Sequence, residues 1–126
     1  MKLFIDSAIL KEIELANDRG LIDGVTTNPT LLNSADRKLN EVIHDILVLI
    51  KDRPVCIELV SKTYDDLVSE GRAVAKLAKN VIVKVPMTDE GLMAVQVLES
   101  KGIHTNVTLV FSPAQALLAA KAGATF

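Results

Sequence analysis

At 126 residues, 49% of them apolar and 24% charged, the chain has the make-up of one ordinary globular domain. A formal net charge of −2 gives no electrostatic reason to bind nucleic acid or an anionic membrane, and 3% aromatics are too few to build base-stacking platforms. The single cysteine, Cys56, rules out an intrachain disulfide, lies in the apolar run VCIELV as a buried inert thiol, and fits a reducing compartment.

KLFID opens the chain as a strand, and Ser7 is the expected cap of a helix through AILKEIELAND that stops near Gly20. GVTT is a short strand closed by Asn28-Pro29, a dipeptide that favours a turn or loop. LNEVIHDILVLIKD has apolar residues three and four apart and reads as a helix. PVCIELV is a third strand, followed from Thr63 by the helix YDDLVSEGRAVAKLAK, in which Gly71 is a weak point. NVIVKVP is a fourth strand, and Thr88 and Asp89 open the helix EGLMAVQVLESKG, closed by Gly102. IHTNVTLV is a fifth strand, Ser112-Pro113 sets proline in the first turn of AQALLAAKAGA, and Thr125-Phe126 begins a sixth strand. No segment reaches transmembrane length, and the apolar part of MKLFIDSAIL is too short for a signal peptide, so the cytoplasm is the expected location.

Five strand–helix units in succession predict an α/β fold with a parallel sheet and right-handed crossovers. Two architectures use that rhythm, the doubly wound open sheet and the (β/α)8 barrel. An eight-unit barrel needs roughly 200 residues or more. The chain is therefore expected to be a smaller complete α/β fold or an incomplete barrel.

In both architectures function gathers at the carboxyl ends of the strands. Those ends carry Asp6, then Thr26, Thr27 and Asn28, then Glu58, Lys84, and finally Asn106 and Thr108. Each has a bland reading. Asp6 fits a helix cap, Asn28 a turn residue, Glu58 an edge strand facing solvent, and Lys84 a side chain snorkelling to water. Asn106 and Thr108 fit partners for backbone groups at a strand end. Their recurrence at the same end of successive strands points instead to one converging site.

Lys84 stands out most, an ammonium set among Val81, Ile82, Val83 and Val85. Lost hydration disfavours a charged amine while nearby carboxylates favour it, and the neutral form attacks carbonyls. His44, within a helix, and His104, at the entry of a strand, lie away from those ends. No Gly-x-Gly-x-x-Gly, Walker-type loop or metal-ligand spacing occurs.

The segments FIDSA, GVTTNPTLL, IVKVPMTDEGL and TNVTLVFSPAQALLAAKAGAT resemble, in order and in register, the small-subunit transaldolases and the related fructose-6-phosphate aldolases. The resemblance implies a class I aldolase-type (β/α)8 TIM barrel without metal or organic cofactor. Residues 1–126 would then be the N-terminal part of a single barrel domain. It implies a Schiff base on Lys84 with a ketose phosphate, acid–base work by Asp6 at the C4 hydroxyl, and a water held by Glu58 and Thr108. It also implies a dihydroxyacetone unit bound by Asn28 and Asn106 with Thr26 in support. Transaldolases typically carry glutamate where Glu58 stands and dedicated fructose-6-phosphate aldolases glutamine, which favours transfer of the three-carbon unit to an aldose phosphate in the pentose phosphate pathway. Sugar phosphates are the implied partners, and the relatives are homo-oligomers. The alternatives are a fructose-6-phosphate aldolase, an inactive half-barrel serving as an assembly or binding module, and a flavodoxin-like open sheet with a ligand at its switch point.

Overall fold

The computed structural model describes residues 1–33 and 38–126. The elements are β1 (Phe4–Asp6), α1 (Leu10–Asp18), β2 (Gly24–Thr26), α2 (Pro29–Asn33), α3 (Leu39–Leu49) and β3 (Val55–Glu58). They continue with α4 (Tyr64–Ala75), β4 (Val81–Pro86), α5 (Asp89–Ser100), β5 (Thr105–Thr108) and α6 (Pro113–Ala122). The chain divides into two compact units, Met1–Ile57 and Glu58–Phe126, with the boundary inside β3. Strands follow chain order, pair in parallel and alternate with helices, as in an incomplete (β/α)8 barrel of five strand–helix units.

In the first unit Asp6 registers with Thr26 and Phe4 with Gly24, while Val25 registers with Val55 and Thr26 with Cys56. Side chains alternate faces along a strand. Val25 and Val55 are therefore buried on one face, and Phe4, Asp6, Thr26 and Cys56 share the other. A Cβ at Gly24 would run into the Phe4 ring and the Pro54 carbonyl. Glycine leaves the space that the edge of that ring occupies. Ile13 of α1 and Val42 and Ile46 of α3 supply buried apolar bulk.

Two expectations for this unit are corrected. Ser7 does not cap α1. Its N–H still pairs with the Thr26 carbonyl at 3.2 Å, so the chain has not yet left the sheet. Its hydroxyl accepts the Ile9 N–H and donates to Glu12, and the helix starts at Leu10 behind an Ile9 that has no side-chain cap. The Asn28-Pro29 dipeptide opens the short helix α2 rather than an open loop. The Asn28 amide oxygen accepts the Leu31 N–H at 2.9 Å, and proline, with no N–H to lose, fits the first helical position.

The second unit is built as its sequence predicts. Thr63, Thr88 and Ser112 each cap a helix through their hydroxyl oxygens, accepting from Asp66, Gly91 and Gln115. Leu67, Val83, Val85, Val95, Leu98 and Val107 form one buried cluster. Gly71 sits against it: an added Cβ would lie 2.9 Å from Leu98 and 3.4 Å from Val83. What reads as a weak point in a helix is a close approach between α4 and its neighbours.

The expected sixth strand is not among the five strands of the sheet, but its two residues, Thr125 and Phe126, are hydrogen-bonded to β5. Val107 donates to the Phe126 carbonyl at 3.0 Å, and Thr125 and Phe126 both donate to the Thr105 carbonyl at 3.1 Å. Glu99 fastens this segment. One of its oxygens accepts from the N–H and hydroxyl of Thr105, each at 2.7 Å, and from the N–H and hydroxyl of Thr125, at 3.1 and 2.8 Å. Burial works to raise the Glu99 carboxyl, but the threonine hydrogen bonds and the charge of His104 outweigh it and hold the group below its ordinary value of 4.5. The unfolded chain therefore binds this proton more readily than the folded one. The stability Glu99 contributes is present above pH 4.5 and lost as the pH falls below it. In Glu99→Gln, denaturant midpoints should fall less steeply through that acid window than in the unmodified chain; parallel curves would remove Glu99 as the cause.

Candidate functional site

The site residues of the second unit are set by the pleat of β4. Val83 and Val85 belong to the cluster packed by α4 and α5, so Lys84 between them points from the opposite face. Lys84 is 9% exposed, and its Nζ lies 3.0 Å from Oε2 of Glu58. Leu59, next to Glu58, donates its N–H to the Lys84 carbonyl at 3.0 Å and joins the core cluster. Glu58 is thereby turned to the side of Lys84. In β5, Asn106 registers with Lys84 and Thr108 with Pro86, and Val107 between them faces the core. Glu58, Lys84, Asn106 and Thr108 share one face of this unit.

Three of the bland readings fail here. Lys84 does not snorkel to water, because its side chain is 11% exposed and paired. Glu58 does not face open solvent from an edge, with 19% of its side chain exposed against the lysine. Asp6 does not cap α1, whose cap position is Ile9.

The loop after Glu58 is held by a residue with no functional signature in the sequence. Glu70 of α4 accepts the Val60 N–H on one oxygen at 3.1 Å and the Ser61 N–H on the other at 2.9 Å. Glu90 of α5 takes the Tyr64 N–H at 2.7 Å. One carboxylate satisfying two consecutive loop donors, with a second holding the first residue of α4, restrains the chain beyond Glu58.

In the first unit Asp6 is exposed, and its Oδ1 accepts the Thr26 hydroxyl at 2.8 Å. Thr26 thus orients the Asp6 carboxylate. Asn28 follows at the end of β2, with its amide oxygen committed to Leu31 and its amide nitrogen the end with hydrogens to give. Thr27 points the other way, fully buried, and donates to the Cys56 carbonyl at 3.1 Å.

Chemically, the contact sets an amine beside a carboxylate, a nucleophile type and an acid–base type within reach of each other. Among the described residues no group of three or more His, Cys, Asp or Glu side chains is placed to hold a metal ion. A groove of about 700 Å³ in the first unit is lined by α1, α3 and the Lys51–Arg53 turn and contains none of the candidate residues. His104 lies 3.7 Å from Glu99, at the amino end of β5.

Residues 3–126 match the family model described as Transaldolase/Fructose-6-phosphate aldolase. Proteins named "Probable transaldolase" from Aquifex aeolicus, Clostridium acetobutylicum and Clostridium perfringens are 56%, 55% and 52% identical to it over 126 residues. Each match covers all of this chain and 58% of the relative.

Proposed function

This chain belongs to the transaldolase/fructose-6-phosphate aldolase family, and from that premise we propose that it carries the Schiff-base half of a transaldolase site. The observation that supports this reading is the contact between Lys84 and Glu58, 3.0 Å apart in an apolar strand environment.

The neutral Lys84 amine adds to the C2 ketone of fructose 6-phosphate or sedoheptulose 7-phosphate. The carbinolamine loses water to give an iminium, with Glu58 supplying the proton and Thr108 holding the water. Asp6 removes the C4 hydroxyl proton, the C3–C4 bond breaks, and its electrons pass into the iminium to form an enamine. An aldose phosphate leaves. The enamine carbon attacks the aldehyde of a second aldose phosphate, and water returns the new ketose and free Lys84. Asn28 and Asn106 hold the hydroxyls of the three-carbon unit, with Thr26 supporting Asp6. Sugar phosphates are the ligands, the cytoplasm the place of action, and a homo-oligomer the working form. Glu58, a carboxylate rather than an amide, favours transfer over simple aldol cleavage.

Incubation with fructose 6-phosphate and borohydride, followed by intact mass and a peptide map, tests this reading. A reduced three-carbon adduct on Lys84 is the expected result. An adduct on another lysine, or none, would refute it.

A further inference from the structure

Leu109 has a φ of 65°, and among the described residues it alone combines a positive φ with a side chain. That backbone form is disfavoured for an L-residue because its Cβ crowds the following carbonyl oxygen. Nothing in the Leu109 side chain compensates, since it is 56% exposed. The reason must lie in what the conformation does to the chain.

Leu109 follows Thr108, the last residue of β5, and breaks the alternation of faces. Thr105 and Val107 are buried on the core side, so a continued strand would turn residue 109 there next. Instead Leu109 is left outside and Val110 packs against the core cluster. Both flanks of the turn are anchored. The Met87 N–H holds the Thr108 carbonyl at 2.9 Å. On the far side the Phe111 N–H is held by the Gln115 side chain at 2.7 Å, and Ser112 caps α6. A strained residue between two fixed ends, next to a residue on the Lys84 face, is where strain sets geometry.

We propose that Leu109 is a positioning residue whose left-handed backbone fixes the Thr108 hydroxyl for the proton transfers at Lys84. This rests on the Schiff-base reading above. The test uses the full chain and follows the rate of borohydride-trapped adduct at Lys84 against fructose 6-phosphate concentration. Leu109→Val, β-branched and ill-suited to the left-handed region, lowers the maximal trapping rate about tenfold and leaves the half-saturating concentration unchanged. Leu109→Asn, which accepts that region, stays within about twofold of the unmodified chain. Should the valine variant fail to fold, Leu109→Ala gives an intermediate loss of rate by the same logic.

Equal rates in the valine, alanine and unmodified chains would overturn the proposal, as would equal losses in the asparagine and valine variants. The second result would assign the effect to the leucine side chain. No adduct in the unmodified chain would instead overturn the Schiff-base reading, and this inference with it.

Discussion

Replacing Lys84 by methionine reduces borohydride trapping to background, a loss of at least about a thousandfold. Methionine keeps an unbranched apolar stem as far as Cε and removes the amine. The stem lies on the face of β4 opposite Val83 and Val85, in a site 9% exposed, so the core side of the strand should pack as before. The variant does leave the Glu58 carboxylate without its ammonium. That residue's side chain is 19% exposed, so the destabilisation should be about 1–3 kcal/mol. Lys84→Met/Glu58→Gln removes the orphaned charge and should recover part of that loss while trapping stays at background. Denaturant unfolding separates the two effects. Trapping that survives in a folded Lys84→Met chain would show that another amine is the nucleophile.

How much of this was legible beforehand follows from where each signal resides. Lys84 could be found because a strand buried on both faces is written as a β-branched run, and a charge inside such a run is conspicuous. Its pairing with Glu58 is not written there. Contact at 3.0 Å depends on the register between two strands, which no local pattern encodes. The caps at Thr63, Thr88 and Ser112 were legible because a hydroxyl three residues before a free helical N–H is a local device.

The same device misled at Ser7. Its N–H is taken by Thr26 from the adjacent strand, so the sheet holds the chain where local preference would start a helix. The helix α2 was hidden because Asn-Pro serves equally to open a turn and to open a helix. Gly71 carried its meaning in Leu98 and Val83, residues distant in the chain. Glu99 gathers its four donors from Thr105 and Thr125, and Glu70 holds Val60 and Ser61 from a neighbouring helix. Neither role leaves a trace in sequence spacing. Leu109 is the hardest case, an apolar residue in an apolar run whose only distinction is a backbone angle.

Asp6→Asn separates carbon–carbon cleavage from imine formation. The substitution conserves shape, and the Thr26 hydroxyl, which now donates to Oδ1 at 2.8 Å, can donate to the amide oxygen in the same place. The fold and the orientation of the side chain should therefore persist. What disappears is the ability to take a proton from the C4 hydroxyl, and loss of a positioned base lowers the rate by about 10²–10⁴-fold. In the proposed reaction imine formation draws on Lys84, Glu58 and Thr108, so trapping at Lys84 should continue at the unmodified rate. The trapped species should change as well. Without cleavage the adduct retains all six carbons of fructose 6-phosphate, whereas the unmodified chain yields the three-carbon adduct, and intact mass distinguishes them directly. Accumulation of the six-carbon adduct with release of aldose phosphate slowed to that extent assigns Asp6 to the proton at C4. Release at the unmodified rate would move that role to another group and leave Asp6 as no more than the partner of Thr26.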